Sequence, residues 1–555
     1  MSTGEAQRRA RAASVTRLVN GVLREIGPAP HGPGPVRIHD PVSGHALVVT
    51  VRGWSPSGHH VLDEQVRVAE PEGTRAADHD EVVALLLAVV AAAAPDEATK
   101  LIPDRVAALG RQIADSTART ARYLAAGPRP GPVDAVGRTR DAEQSLRLGH
   151  PFHPTPKSLE LDGALLASGD GAELLERCAP ELGASFRLPH LALDPALAVE
   201  ALDGPGPWLP DDAVAAAPPG WPVMPVHPVQ LAYLRARPET ARLLADGALV
   251  ELGECGAEVY PTSSVRTVCD PGFPTMWKLP LHVRITNFVR TVPPEHALRA
   301  RDASRVVRAL RGGWSYPGFG VLVETGWRGA DPAVVSDDVA ADLTVVFREN
   351  PTPDGARVLA GLVEEGPRGE EPALVREVRA SGIDVRDWLR DYLWISLLPM
   401  IDIFARDGVG FEAHLQNSLL ITDGGRPVGF RVRDMEGAHV DRDRLPPGLD
   451  PTSPVVYGGD EAWQRLRYHD VVNQLAGVIA TLGRHLGSER ALWAVVADAL
   501  REGGASSGPA ATWADDLRTS ATLPAKANLL SRFSERGEAP MYVALPNPIR
   551  EADRC

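Results

Sequence analysis

The pattern of apolar and polar positions predicts β-strands in the middle of the chain and helices towards its end. The clearest alternation runs from Leu279 to Thr286, where every second residue is apolar and the residues between are polar, cationic or proline. Because successive side chains of a strand point to opposite faces, this segment is predicted to have one apolar face and one mostly polar or cationic face. The turn sequence CDPGFP (269–274) separates it from a preceding β-type segment.

Helical periodicity dominates from about residue 375, and a β-hairpin predicted over 411–434 interrupts it. The apolar run Val82–Ala94 is too short to span a bilayer, so we expect a buried helix there. These elements predict an α+β fold. The chain is predicted to divide into a mixed part (1–165), a β-rich part (166–345) and a mostly helical part (346–555).

Composition narrows the classes of partner. The chain has 555 residues, a net charge of −14 and four cysteines without metal-type spacing. This acidity argues against nucleic acid as a partner, and a local cationic pocket would instead indicate a small anionic ligand. The N-terminus is Arg-rich and lacks a hydrophobic signal region. We therefore expect a soluble cytoplasmic protein with reduced thiols and no membrane partner.

An unusual set of cations lies between Pro261 and Arg290. Arg266, Lys278 and Arg290 follow one another at intervals of twelve residues. At about 3.3 Å per residue, Lys278 and Arg290 would lie roughly 40 Å apart on a straight strand, so they can share a ligand only if the chain folds back. A strand that ends at Thr286 and continues as a helix would place Thr286 and Arg290 on one side. The alternative is a solvated basic face on an antiparallel sheet.

Lysine is rare in this chain. Lys100, Lys157, Lys278 and Lys526 are the four lysines among 58 basic residues. Where Arg supplies most surface charge, each Lys has a better than usual chance of a specific role, and its compact ammonium suits a point contact to phosphate. Hydroxyl residues surround Arg266 and could join such a contact: Ser263, Ser264 and Thr267.

A second candidate is the segment GHPFHPTPKS (149–158), which carries His150, His153 and Lys157. The proline after each histidine imposes an extended, rigid loop. An imidazole and an ammonium on such a loop are suited to binding an anion. Two alternatives stay open: two histidines in an ordinary turn, and a zinc site, for which no third and fourth ligand follow at finger spacing.

Two further motifs have a structural interpretation beside the functional one. The HPVQ segment (227–230) is better explained by a structural histidine in a Pro-rich turn. Lys526 and Arg532 near the end of the chain fit a surface helix as well as they fit a site.

The predicted hairpin gathers polar groups. Glu412, His414 and Gln416 alternate, so they are predicted to share one face of a strand. Folding the hairpin at its TDGG turn would bring Asp434 back beside Asn417. Glu436 would return with it, and Asn, Asp and Glu oxygens that meet at a strand end predict a Mg²⁺ site there.

These motifs occur in the order found in a known family. The segments are GHPFHPTPKS, HPVQ, PTSSVRTV, KLPLHVRIT, HLQN and RDMEG. Through them, from about Glu143 to Arg532, the chain resembles the IucA/IucC family of NRPS-independent siderophore (NIS) synthetases. The resemblance implies a cupped hand with a thumb, fingers containing an antiparallel sheet, and a largely helical palm. It also implies an enzyme that uses ATP and Mg²⁺ to adenylate a carboxylic acid, commonly citrate, and transfers the acyl group to an amine or alcohol, and it suggests a homodimer.

The resemblance assigns roles residue by residue. Positions that match ATP-binding residues are His150, His153, Lys157, Ser263, Ser264, Arg266, Thr267, Lys278 and Asn417. Positions that match residues holding or activating the acid are Thr286, Arg290, His414 and Gln416, with Lys278 beside them. The neighbourhood of the metal matches Glu412, Asn417 and Asp434.

Three residues depart from the family pattern. Leu415 stands where the family usually has Gly, Leu159 stands where an Arg is expected, and Glu436 stands where other residues are common. The missing Arg removes one contact to nucleotide or acid, and Leu415 is expected to reshape the acid pocket, so the acid need not be citrate.

Two rival functions are weighed against the ligase. A small-molecule kinase also holds Mg²⁺ with an Asn and a downstream Asp, but it needs a catalytic Asp shortly before that Asn, and none precedes Asn417. A non-catalytic homologue that binds a siderophore or nucleotide is the other rival.

Overall fold

The computed structural model describes residues 1–71, 73–94, 102–127, 134–167, 171–204, 206–504, 509–537 and 539–554. Its strands are β1 (Gly34–His39), β2 (Ala46–Gly53), β3 (Val61–Leu62), β4 (Arg67–Glu70), β5 (Gly73–Ala76), β6 (Leu159–Leu161), β7 (Phe186–Leu193), β8 (Ala198–Leu202), β9 (Val223–Pro225), β10 (Leu249–Pro261), β11 (Thr267–Cys269), β12 (Thr275–Lys278), β13 (Leu281–Ile285), β14 (Phe288–Arg290), β15 (Phe319–Val321), β16 (Glu324–Ala330), β17 (Val345–Glu349), β18 (Arg357–Val358), β19 (Val409–Gly410), β20 (Ser418–Asp423), β21 (Arg426–Val432), β22 (His439–Asp441), β23 (Val456–Tyr457), β24 (Thr522–Lys526) and β25 (Tyr542–Pro546).

Its α-helices are α1 (Thr3–Glu25), α2 (His79–Ala93), α3 (Ile102–Ala125), α4 (Ala135–Gln144), α5 (Gly163–Ala167), α6 (Gly171–Arg177), α7 (Asp211–Ala216), α8 (Pro228–Ala236), α9 (Pro238–Ala245), α10 (Pro294–Arg311), α11 (Asp337–Asp342), α12 (Leu359–Val363), α13 (Ala373–Ser381), α14 (Val385–Ile395), α15 (Leu397–Asp407), α16 (Gly459–Leu466), α17 (Ala476–Leu486), α18 (Glu489–Gly504), α19 (Pro509–Thr519), α20 (Asn528–Phe533) and α21 (Pro548–Asp553). A π-helix, Arg467–Leu475, joins α16 to α17. No helix in the described ranges is both long and apolar enough to cross a membrane.

The largest sheet has eight strands in the order β8-β16-β17-β12-β11-β10-β7-β9, and its pairings are antiparallel. A three-stranded sheet, β14-β13-β6, lies beside it along the chain, and the hairpin β20-β21 belongs to a four-stranded sheet with β15 and β18. The mixture of helices and antiparallel sheet confirms the predicted α+β class.

The alternation from Leu279 to Thr286 is divided between two sheets. β12 ends at Lys278 in the eight-stranded sheet, and β13 begins at Leu281 in the three-stranded sheet. Pro280 lies between them, where its missing amide hydrogen takes no ladder bond from either sheet. Leu281 and Val283 are buried while His282 and Arg284 are half-buried, so the predicted apolar face is confirmed.

The helix expected after Thr286 is wrong. Ile285 pairs directly with Phe288, so Thr286 lies in a tight hairpin turn between β13 and β14, with a left-handed φ of 58°. The turn still brings the two predicted residues together, because Arg290 Nη2 donates to Thr286 Oγ1 over 2.9 Å. A backbone reversal, rather than helical spacing, produces this contact.

The strand expected over Glu412, His414 and Gln416 is also wrong. The amide of His414 donates to the carbonyl of Glu412, and the amide of Asn417 donates to the carbonyl of His414. These local bonds fold residues 411–417 into a loop and turn, and β20 begins only at Ser418. The hairpin itself is confirmed: β20 and β21 pair antiparallel around a turn at Gly424 and Gly425, where φ is 54° and 82°.

The larger hydrophobic cores of the described residues cross the predicted boundaries. Val307 and Val321 pack in the core formed mainly by the C-terminal helices, and Leu529 and Phe533 pack with the core formed by α1, α2 and the first sheet. The buried helix predicted at Val82–Ala94 is confirmed as α2. The three-part division at 165 and 345 stays a prediction.

Candidate active site

A cavity of about 1670 Å³ opens between the eight-stranded sheet, the hairpin region and the two ends of the chain. Its lining includes every residue that the sequence singled out for the site: His150, His153, Lys157, Ser263, Ser264, Arg266, Thr267, Lys278, Thr286, Arg290, Glu412, His414, Gln416, Asn417 and Asp434. The three lysines within the described ranges, Lys157, Lys278 and Lys526, all line it too. The predicted residues therefore converge on one cavity.

Lys278 is the centre of a buried charge network at one end of the cavity. It projects from the end of β12, and its Nζ lies 2.6 Å from Asp434 Oδ1 and 2.7 Å from Glu436 Oε2. Arg348 Nη2 lies 3.0 Å from Asp434 Oδ1, and it comes from β17, which pairs with β12. Burial alone would raise the pKa of Asp434, but Lys278 and then Arg348 outweigh it and hold that pKa well below its usual range. Asp434 is therefore ionised at neutral pH.

A second cationic group lies around the β13–β14 turn. Arg266 Nη1 donates to the carbonyls of Arg290 and Thr291, over 3.0 and 2.8 Å. Arg290 Nη2 donates to the carbonyl of Ile285 as well as to Thr286. Burial lowers the pKa of Arg290 to about 10, and the neighbouring charge of Arg266 adds to that effect. Arg266 is buried and Arg290 is half-buried, and the hydrogen bonds above join both guanidiniums to neutral carbonyl and hydroxyl oxygens, an arrangement that favours an anionic ligand.

The two histidines of the GHPFHPTPKS loop make the same local hydrogen bond, in which the ring accepts the amide two residues further on. His150 Nδ1 accepts the amide of Phe152, and His153 Nδ1 accepts the amide of Thr155. His153 Nε2 also lies 3.0 Å from Asn287 Oδ1, beside Thr286. Burial lowers the pKa of His153 to about 4 and the pKa of His150 well below its usual range, so both rings are neutral at pH 7. His150 Nε2 lies 3.0 Å from Asn473 Nδ2, so both nitrogens of each ring have a protein partner and neither ring carries charge.

Lys157, which the sequence placed with these histidines, is held by a different partner. Its Nζ lies 2.5 Å from Glu181 Oε1 and also donates to the carbonyl of Leu146. Both side chains of this ion pair are mostly buried. The ammonium of Lys157 is therefore already compensated.

The loop from Glu412 to Asn417 forms the opposite wall. His414 Nδ1 accepts the amides of Gln416 and Asn417, and burial lowers the pKa of His414. Gln416 Nε2 donates to Ser263 Oγ over 3.1 Å, which joins this loop to the segment that carries Arg266. Glu412 Oε1 lies 3.5 Å from His469 Nδ1 on the π-helix.

The predicted metal residues line the cavity without forming a ready-made cage. Asn417 Nδ2 donates to the carbonyl of Glu412 over 3.2 Å, and Asp434 follows Arg433, whose amide bonds the carbonyl of Asn417. Within the described residues there is no group of three or more His, Cys, Asp or Glu arranged to hold a metal ion. The ionised carboxylate of Asp434 and the amide of Asn417 are nevertheless oxygen ligands of the kind that Mg²⁺ takes together with water and phosphate.

Several lining residues escaped the sequence interpretation. Arg348, His296, Tyr468 and His469 line the cavity. His296 Nδ1 lies 3.0 Å from Glu436 Oε1. Arg348 reaches the site only because β17 pairs with β12. Tyr468 and His469 lie on the π-helix, which leaves no recognisable period in the sequence, so only the fold reveals them.

The structural interpretation of the HPVQ motif is confirmed. His227 caps α8 by accepting the amide of Val229, and Gln230 bonds Asp342 and the amide of His282. Of the two Leu departures, Leu159 packs against the core of the large sheet, whereas Leu415 lines the cavity and lies against Gly477. Lys526 and Arg532 also line the cavity, so the plain surface helix is wrong for them.

Family models match two parts of the chain. The IucA / IucC family model matches residues 138–364, and a model described as ferric iron reductase FhuF-like transporter matches residues 386–541. Among relatives, the L-2,3-diaminopropanoate–citrate ligase of Staphylococcus aureus is 34% identical over 91% of this chain and 90% of its own length. The rhizobactin siderophore biosynthesis protein RhbC of Rhizobium meliloti is 30% identical over 93% of this chain and 92% of its own length.

Solved structures agree at the level of the fold. The ATP-bound aerobactin synthetase IucA from Klebsiella pneumoniae matches with a TM-score of 0.81 and 23% identity, covering 97% of this chain and 99% of that one. The petrobactin biosynthesis protein AsbB from Bacillus anthracis matches with a TM-score of 0.80 and 17% identity, covering 99% and 96%. These matches confirm the predicted multi-subdomain α+β architecture. With a relative 34% identical over nine-tenths of both sequences and a family model over residues 138–364, this chain belongs to the IucA / IucC family.

Proposed function

We propose that this protein is an ATP-dependent ligase that condenses citrate, or a closely related di- or tricarboxylic acid, with an amine or alcohol in siderophore biosynthesis. Its relatives include a diaminopropanoate–citrate ligase and a spermidine–citrate ligase, and the reaction named in both joins citrate to an amine. The observation that carries the proposal is the convergence of Lys278, Arg266 and Arg290 with the His414 loop in one cavity.

The cations answer the central difficulty of this reaction. A carboxylate and a triphosphate repel each other, so positive charge must gather both before they can react. We assign Lys278, Arg266 and the hydroxyls of Ser263, Ser264 and Thr267 to the phosphates. The neutral rings of His150 and His153 shape the loop beside them, and Lys157 supports that loop through Glu181.

The acid is assigned to the other cationic group. Arg290 and Thr286 would bind its carboxylates from the β13–β14 turn, and His414 and Gln416 would bind it from the facing loop. In the activation step a carboxylate oxygen attacks the α-phosphorus of ATP, pyrophosphate leaves with its electron pair, and an acyl-adenylate forms. In the second step the amine attacks the acyl carbon, the bond from that carbon to the phosphate oxygen breaks, and AMP leaves.

Two smaller assignments follow. Mg²⁺ would be held by Asp434 and Asn417, with Glu412 beside them, and would neutralise phosphate charge when bound. His414 is neutral at pH 7 because burial lowers its pKa, and its Nδ1 accepts two amides, so its Nε2 hydrogen can be donated to the acid while the proton that the attacking amine loses passes to solvent. The homodimer and the cytoplasmic location stay predictions.

The test is hydroxylamine trapping with ATP and a panel of citrate, succinate and 2-oxoglutarate, combined with ATP–pyrophosphate exchange. A ligase gives acid-dependent exchange and a hydroxamate, with AMP as the nucleotide product. ADP in place of AMP would establish the kinase instead, and no turnover with any acid would favour the non-catalytic homologue.

A further inference from the structure

A closed ring of hydrogen bonds lies at the wall of the cavity and involves two residues, Glu143 and Arg433, with no role in the reaction described above. Glu143, at the end of α4, is 2% exposed, and Arg433, just after β21, is 4% exposed. Arg433 Nη1 lies 2.5 Å from Glu143 Oε1, and its Nη2 lies 3.3 Å from Glu143 Oε2. The two form a buried, two-pronged ion pair between segments that are 290 residues apart in sequence.

Each member of this pair holds one wall of the site. Glu143 Oε2 accepts the amide of Ser263 over 3.1 Å and its hydroxyl over 3.0 Å. Arg433 donates to the carbonyl of Gln416 from Nη2 and Nε, over 2.8 and 3.2 Å. The Glu143 carboxylate thus orients the loop that leads to Arg266, and the Arg433 guanidinium orients the loop that carries His414.

The remaining contact closes the ring. Gln416 Nε2 donates to Ser263 Oγ, whose own hydrogen is directed to Glu143. One hydroxyl can donate once and accept twice, so this arrangement satisfies Ser263 and fixes the direction of both neighbours. If either charge is removed, the other is left buried without its partner, and the hydrogen bonds that orient Ser263 and Gln416 are no longer fixed.

We propose that Glu143 and Arg433 are positioning residues that fix the loop of Ser263, which we assign to ATP, relative to the loop of His414, which we assign to the acid. Glu143 is not among the residues that line the cavity, whereas Arg433 is, and both act on the substrates through Ser263 and Gln416. This inference depends on the proposed function, because it uses the assignment of one wall to ATP and the other to the acid. It assigns to one buried ion pair an effect on both substrates at once.

The test measures Michaelis constants for ATP and for citrate in pyrophosphate exchange with Glu143→Gln, Arg433→Met and the double variant. Each single variant is expected to raise both constants about tenfold. The double variant is expected to be no worse than the poorer single variant, because both changes break one ring. Multiplied effects in the double variant, or a change confined to one substrate, would overturn the proposal.

A matched control separates positioning from general loss of stability. Asp342 is fully buried, lies 2.5 Å from Arg237 Nη1 and lines no part of the cavity. Asp342→Asn should lower the melting temperature while leaving both Michaelis constants unchanged. If it raises them as Glu143→Gln does, the effect is general and the inference is wrong.

Two further arms keep the outcome decisive. If Glu143→Gln does not fold, Glu143→Asp keeps the charge but withdraws it by one methylene, and it should raise both constants to a smaller degree. Unchanged constants in that variant would refute the ring. Absence of wild-type exchange with citrate, succinate and 2-oxoglutarate alike would instead refute the proposed function, so the two failures are distinguishable.

Discussion

Replacing Lys278 with Ala tests the charge network on which the proposed chemistry depends. The ammonium of Lys278 is bonded to two carboxylates, at 2.6 Å from Asp434 and 2.7 Å from Glu436, and its side chain is 5% exposed. Breaking a buried ion pair by removing one partner typically costs about 3–5 kcal/mol. The two carboxylates keep 27% and 21% exposure, and Arg348 and His296 remain beside them, so we expect about 3 kcal/mol, at the low end.

The same substitution should affect activity more severely than stability. If Lys278 compensates charge on the departing pyrophosphate, its loss should reduce the rate of exchange by about 10²–10³-fold. The double variant Lys278→Ala/Glu436→Gln removes one of the two uncompensated carboxylates and should therefore recover part of the stability. It should recover none of the exchange, because the ammonium is still missing.

The pH dependence of the free energy of unfolding gives an independent check that Lys278 stabilises the ionised forms of its two carboxylate partners. Lys278 holds the pKa values of Asp434 and Glu436 below their usual range, against the opposing effect of burial. Their contribution to stability is therefore complete above the unfolded pKa values near 4 and is lost as pH falls through the native values. The free energy of unfolding lost in Lys278→Ala should be largest at pH 7 and shrink towards pH 3, measured by urea unfolding. Wild-type exchange in Lys278→Ala, or a stability loss independent of pH, would refute the reasoning.

Three further predictions concern other parts of the molecule. Arg290→Ala and His414→Ala should each raise the Michaelis constant for the acid by at least tenfold with a much smaller effect on ATP, and wild-type acid saturation curves in both would remove the substrate assignment. Burial raises the pKa of Glu25 to about 7, so the native state binds the proton more tightly than the unfolded state does. The free energy of unfolding of the wild type should therefore fall between pH 4.5 and 7 by up to about 3 kcal/mol. Glu25→Gln should lack that fall, and the same pH dependence of stability in both proteins would contradict the prediction. Leu415→Ala should lower the free energy of unfolding by about 1–2 kcal/mol because it removes apolar contacts. It should also shift the preference among citrate, succinate and 2-oxoglutarate in hydroxylamine trapping, since Leu415 lines the cavity. An unchanged preference would show that Leu415 does not shape the acid pocket.

The sequence alone was enough to predict a set of residues that line one cavity. Rare lysines, the doubled His-Pro motif and the spaced cations at Arg266, Lys278 and Arg290 are all local signals, and every residue chosen from them or from the resemblance lines one cavity. The hairpin of β20 and β21 was also readable, although its first strand begins at Ser418 and not at 411, because turn residues between alternating strands leave a local pattern.

Only the tertiary structure decided how these residues are held. Thr286 and Arg290 meet through a turn in which Thr286 has a left-handed backbone conformation. That conformation is uncommon for Thr, and no periodicity in the sequence predicts it. Lys157 proved to be compensated by Glu181, and Glu143 meets Arg433 across 290 residues of sequence. The physical reason is common to these cases: local patterns record which face of an element is apolar, whereas the partner of a buried charge depends on how distant elements pack, and the sequence carries no local trace of that packing.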